Sequence, residues 1–308
     1  MKIYKTIDEF SGIENAVVTT GTFDGVHLGH CKIISHLKQI ALREKGETVV
    51  LTFTPHPRIV LFPEEKTLKL LNTEKEKAAL LEKAGVDHLV VIPFTKEFSE
   101  LSSIDFIRNI LVNNIKTKKL VIGYDHHFGK NREGGFEHLK KYGTLYGFEV
   151  EEIPAKDINN VAISSTKIRK ALIEGDISMA NAFLGYEYSI SGTVIKGNQL
   201  GRTIGFPTAN IKVNDSYKLM PANGVYAVKI KVKNKIYKGM MNIGFRPTIG
   251  GKELTLEVNI FAFNTDIYNT EISIYFMDRI RNEVKFSDIE ALKNQLEKDK
   301  EVALQLLS

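Results

Sequence analysis

The sequence has no tryptophan, a single cysteine, and no apolar run approaching the ~20 residues that a membrane-spanning helix needs. Cys31 alone excludes an intrachain disulfide and a cysteine-based zinc knuckle, and such sparse use of cysteine fits a reducing compartment. The N-terminal stretch MKIYKTIDEF lacks the apolar core of a signal peptide, so a cytoplasmic location without a membrane partner is expected. A formal net charge of only +5, dispersed among carboxylates, argues against nucleic acid as a partner but suits polyphosphate ligands. The absence of internal repeats, low-complexity tracts and long blocks of one charge leaves 308 residues of ordinary globular texture, enough for about two domains. None of these features sets an oligomeric state.

Up to about residue 154, strand-like runs alternate with helical patterns, the signature of a parallel sheet covered by helices. The strands read at 16–20, 48–53, 88–94, 119–124 and 148–153, with helices over 30–45, 74–83, 104–113 and 136–146. Thr73 with Glu76 has capping-box spacing, Ser102 and Ser103 are candidate caps, and Gly46 and Gly85 stand where helix C-termini want them. After a helical stretch at 164–185 the texture changes to short strands separated by Gly, Pro and Asn, which reads as an antiparallel barrel or sandwich. A last helix opens with Ser287 and Glu290 at capping-box spacing. The expected architecture is therefore a doubly wound α/β domain over 1–185 and an antiparallel β-barrel with a C-terminal helix over 186–308.

The segment GTFDGVHLGH, residues 21–30, joins a strand to a helix. Glycines at such a junction let backbone approach a phosphate, and the helix N-terminus adds free N–H groups and partial positive charge. No Gly-Lys-Ser/Thr follows, so this is not a Walker A loop. His27 and His30, three residues apart on one helix face, would stand where that loop has its lysine. Surface or helix-capping histidines are the plain alternative. Two imidazoles cannot neutralise a triphosphate, and ISSTKIRKAL, residues 163–172, offers a second anion-binding helix start with Ser165, Thr166, Lys167 and Arg169. By itself that segment also reads as an ordinary Ser/Thr cap followed by exposed basic residues. In GFPTAN, Thr208 and Asn210 share a face if the run is extended, and their hydroxyl and amide oxygens are the hard donors Mg²⁺ takes when phosphates supply the rest. A proline turn satisfying its own backbone is the competing reading.

Taken in order, GTFDGVHLGH, TFTPHP (52–57), GYDHHFGKNREG (123–134), ISSTKIR (163–169), GRTIGFPTANI (201–211), GVYAV (224–228), MNIGFRPTIGG (241–251) and RIRNEVKF (279–286) resemble the prokaryotic bifunctional riboflavin kinase/FMN adenylyltransferases, or FAD synthetases, over essentially the whole chain. The resemblance implies a two-step enzyme with ATP as co-substrate. Riboflavin would be phosphorylated to FMN in the C-terminal module, and FMN adenylylated to FAD in the N-terminal one. It implies that His27 and His30 touch ATP phosphates, with Ser165, Thr166 and Arg169 closing on them and Gly21 and Phe23 seating the nucleotide. Pro55, His56 and Asp125 would line the FMN side. In the kinase module, Thr208 and Asn210 would hold Mg²⁺, Gly197, Gly201 and Arg202 would belong to a flexible flap over ATP, and Glu257 would take the proton of the ribityl hydroxyl.

The sequence departs from that family's pattern at Asn259, Ala262 and Asn269, where a histidine, an aspartate and a glycine are usual, and at Cys31 and His126–His127 in the first module. These departures put the flavin contacts in question and leave the phosphate motifs whole. The alternatives are an adenylyltransferase with a weakened kinase module and a regulatory protein that binds nucleotide or flavin. The HLGH string is also similar to the nucleotide signature of class I aminoacyl-tRNA synthetases, but no anticodon-binding extension accompanies it.

Overall fold

The computed structural model describes residues 1–65, 67–123, 127–153, 163–197, 200–248 and 251–308. The chain forms two compact units, Met1–Ser164 and Ser165–Ser308.

In the first unit, strands β1 (Lys2–Tyr4), β2 (Ala16–Thr20), β3 (Thr48–Thr54), β4 (His88–Pro93), β5 (Thr117–Gly123) and β6 (Glu149–Ile153) form one sheet in the order β1-β4-β3-β2-β5-β6. Every pairing is parallel. All five residues of β2 are buried, as expected of a central strand covered on both faces. Alternation sends Val18, Leu51 and Leu120 to one core and Val17, Val50 and Val121 to the other. The edge strand β1 is absent from the sequence reading because three residues are too few to show a period; it pairs Lys2 with His88.

Helices Glu74–Lys83 and Phe136–Tyr146 coincide with their expected spans, and the Thr73/Glu76 capping box is formed from both sides. Ser102 caps the helix beginning at Ser103, which continues as a π-helical run over Phe106–Asn114. Helix Leu28–Glu44 begins two residues before the expected His30, because His27 is itself its N-cap.

The second unit is a closed antiparallel barrel of β7 (Ser189–Ile195), β8 (Ala209–Lys212), β9 (Gly224–Val232), β10 (Lys235–Thr248), β11 (Gly251–Ile260) and β12 (Glu271–Arg281), ordered β10-β11-β8-β7-β12-β9. Closure leaves no free sheet edge to cover. Helices Ser165–Glu174 and Ile177–Leu184 pack on this barrel, ahead of the Gly185 boundary suggested by sequence texture. The amide of Asn181 donates to the Phe276 carbonyl (2.9 Å) and its oxygen accepts from Tyr188 N–H (2.7 Å). The C-terminal helix Ile289–Leu306 is capped by Asp288, not Ser287: Asp288 accepts from Ala291 N–H at 2.8 Å, while Ser287 donates to Asp288. Arg281 pins this helix to β12 through Asp299, with Nε and Nη2 at 2.7–3.0 Å from a carboxylate that is 1% exposed. The planar fork makes this charge-assisted contact directional.

Candidate active sites

Strand order reverses about β2, with β3 on one side and β5 on the other, and an open α/β sheet binds its ligand beyond the strand ends at such a point. A cavity of about 900 Å³ lies there. One wall is the β2 end, Thr19 to Phe23, with His30; Gly123 at the end of β5 and His127 also line it. Another wall is aromatic: Phe53, Phe94 and Phe98 meet at centroid distances of 5.5–5.8 Å, and Phe106 lies 5.4 Å from Phe128. A slot with one apolar aromatic wall and one glycine-rich polar corner suits a ligand that has a flat ring system and a phosphate.

The polar corner is held in unusual backbone. Phe23 (φ 47°) and Val26 (φ 35°) are buried non-glycine residues at positive φ, flanking Gly25 (φ 90°). Left-handed backbone is costly for a β-branched residue and is retained where the surroundings over-determine it, commonly at functional sites. Part of that determination is Asp24, whose carboxylate accepts from Leu71 N–H (2.9 Å) and Asn72 N–H (3.3 Å).

The imidazoles of His27 and His30 stack at 3.7 Å between centroids, tilted by 16°. Nδ1 of His27 accepts from the His30 N–H at 3.4 Å, so this histidine does cap its helix as well as bordering the corner. Nδ1 of His30 is buried without a hydrogen-bond partner. Burial, then the charges of His27 and Lys77, hold the His30 pKa well below the ordinary 6.5. The ring is therefore neutral at physiological pH and has an unused polar atom. Lys77 is the residue that sequence reasoning missed: its Nζ donates to the Thr22 carbonyl and to Thr52 Oγ1, both at 3.3 Å. Nothing in TEKEKAALLEK marks that lysine off from the solvent-facing ones beside it.

In the barrel, antiparallel register places Glu257 of β11 opposite Asn210 of β8. Thr208 Oγ1 lies 3.5 Å from Glu257 Oε2, the limit of a hydrogen bond. Gly197 sits so close to Asn210 that a Cβ there would collide with the side-chain amide. The Asn259 amide donates to the Pro207 carbonyl at 2.7 Å, tying the turn before Thr208 to β11.

A family model described as FAD synthetase matches residues 10–167, and one described as riboflavin kinase matches 184–307. Bifunctional riboflavin kinase/FMN adenylyltransferases are similar along nearly the whole chain: that of Listeria monocytogenes is 44% identical over 96% of this chain and 93% of its own length. The corresponding values are 41% over 95% and 93% for Bacillus subtilis, and 36% over 97% and 96% for Escherichia coli K12. The chain belongs to this bifunctional family. A crystal structure from Streptococcus pneumoniae described as a macrolide-efflux protein superposes with a TM-score of 0.88 at 34% identity, covering 98% of each chain. Among the described residues here, no helix is long and apolar enough to cross a membrane.

Of the residues expected to serve the family's adenylyltransferase, Gly21, Phe23 and His30 line the cavity, and His27 stacks on His30. Ser165, Thr166 and Arg169 stand in the first turns of helix Ser165–Glu174, in the other compact unit. Pro55 is exposed, and His56 caps the short helix Pro57–Leu61 by accepting from Arg58 N–H (3.2 Å); Pro57 and Arg58 form the cavity wall at this loop. Asp125 lies outside the described residues. In the kinase half, Thr208, Asn210 and Glu257 come together, with Gly197 against Asn210. Gly201 and the exposed Arg202 belong to a single helical turn, Leu200–Thr203, closed by Phe206 N–H on the Gly201 carbonyl (2.8 Å).

Proposed function

We infer that this chain makes FMN from riboflavin and FAD from FMN, using ATP in each step. The observation that carries this is the presence of two separate constellations suited to phosphate, one in each unit, within the spans of the two family models.

In the first unit, an FMN phosphate oxygen attacks the α-phosphorus of ATP, and pyrophosphate leaves. That nucleophile is already ionised, so the site needs positioning and charge stabilisation more than a base. The aromatic wall takes the isoalloxazine ring, and the Gly21–His30 corner takes the phosphates. His27 and His30 give directional contacts there; the family resemblance also assigns Ser165, Thr166 and Arg169 to ATP. Pro55 and His56, in the loop leading to Pro57 and Arg58, are assigned to FMN, as is Asp125 by resemblance alone.

In the barrel, the ribityl 5′-hydroxyl attacks the γ-phosphorus of ATP, and ADP leaves. A neutral alcohol needs a proton acceptor, and Glu257 serves as one. Thr208 and Asn210 fit Mg²⁺ because their donors are oxygens beside a carboxylate, and glycine at 197 leaves space for the Asn210 amide where a Cβ would collide with it. When bound, Mg²⁺ supplies charge neutralisation on the phosphates. Gly197, Gly201 and Arg202 are assigned to ATP. The intact Thr208–Asn210–Glu257 group disfavours a weakened kinase. Such substrates belong to the cytoplasm.

Two variants test the division of labour. His30→Ala is expected to abolish FAD formation and spare FMN formation, as followed by chromatography with riboflavin or FMN as substrate. Glu257→Gln is expected to stop FMN formation while supplied FMN is still converted to FAD. Equal damage to both steps by either change, in a well-folded protein, would rule out independent sites.

A further inference from the structure

We propose that Lys77 is a positioning residue of the adenylyl-transfer site, holding the Gly21–Phe23 turn in place and adding a cationic group beside the corner formed by His27 and His30. The inference rests on the reading that this corner receives the phosphates of ATP.

Lys77 reaches the strand ends from helix Glu74–Lys83. Its ammonium bridges the Thr22 carbonyl, on the cavity wall, and the Thr52 hydroxyl near the end of β3. Thr52 Oγ1 in turn donates to the same carbonyl at 3.3 Å, so one lysine fixes the turn after β2 against the neighbouring strand. Two of the three ammonium N–H groups are thereby used, on neutral acceptors. Burial lowers the pKa of Lys77, and the two carboxylates that oppose this, Asp24 and Glu74, act at a distance; one oxygen of Asp24 is already engaged by two backbone N–H groups. A desolvated ammonium resting on two neutral oxygens is an expensive way to tether a loop, since an uncharged donor would do the same with less desolvation. The charge is repaid when a polyanion enters the adjacent cavity. The same charge helps to keep His30 neutral until then, together with burial and His27.

The test uses the full-length protein with Lys77→Gln and Lys77→Arg, FMN formation by the barrel serving as the control for folding. Gln keeps a donor for Thr22 without the charge; Arg keeps the charge. If Lys77 only tethers the loop, Gln behaves as wild type. The proposal expects Gln to raise KM for ATP in FAD formation by about 10- to 100-fold, the loss of a buried cation's attraction for the phosphates. It also expects Gln to move the acid limb of the FAD-formation pH profile upward, because removing a neighbouring cation raises the His30 pKa. Arg should retain the acid limb. Unchanged ATP KM and an unchanged acid limb in Lys77→Gln, with His30→Ala inactive, overturn the role of Lys77 alone. Full FAD formation by His30→Ala overturns the reading of the corner on which it rests.

Discussion

Asn269 has φ 61°, a left-handed backbone that glycine adopts freely and asparagine better than most other residues. The resemblance marks this as a position where glycine is usual, so the substitution keeps the turn at modest cost. Ala262, at φ 52°, lacks even the local hydrogen bonding an asparagine offers. Ala262→Gly is therefore expected to stabilise the barrel by about 1 kcal/mol, and Asn269→Gly by less, as read by denaturant unfolding. Asn259 replaces the usual histidine yet retains a polar task, since its buried amide holds the Pro207 carbonyl. Asn259→Ala leaves that carbonyl unpaired and loosens Thr208. FMN formation should fall about tenfold, with FAD formation from supplied FMN unchanged. At this scale the sequence was partly legible: type and spacing single out Gly21, His27, His30, Thr208 and Asn210, which the fold gathers at a cavity corner and beside Glu257, whereas Lys77 looks like any helix-surface lysine until the fold brings Thr22 and Thr52 beneath it.

Helix Glu74–Lys83 shows how element-level signals serve the site. Its capping box, read directly from Thr73 and Glu76, fixes the N-terminal turn in which Lys77 follows. Thr73→Ala should cost about 1 kcal/mol of stability in the first unit, measured by thermal unfolding, and should weaken FAD formation more than FMN formation. Helix Leu28–Glu44 was legible in extent but not in its start, because histidine is an uncommon N-cap and helix capping was only the plain alternative to a ligand role for His27 and His30. The strands β1 and β8, of three and four residues, carry too little periodicity to be read, and their partners create them. The aromatic wall was hidden for a related reason. Phe53 stands at the end of β3, Phe94, Phe98 and Phe106 lie in the connection from β4 to β5, and Phe128 follows β5; only the sheet order gathers them at one end.

For the molecule as a whole, the alternation of patterns in the first half and the short strands of the second made both architectures legible, because parallel and antiparallel sheets impose different periods on their sequences. The division of contacts was less so: helices Ser165–Glu174 and Ile177–Leu184 pack against the barrel although their phosphate-type motif serves the reading of the first unit. The two proposed ATP sites, one for each step, imply that the steps can be separated between molecules. The decisive measurement mixes His30→Ala with Glu257→Gln protein, supplies riboflavin, ATP and Mg²⁺, and follows FAD. Each variant alone should make none, and the mixture should restore it, one protein furnishing FMN to the other. Failure of the mixture, with both proteins folded and each retaining its own half-reaction, or FAD from either variant alone, contradicts the account.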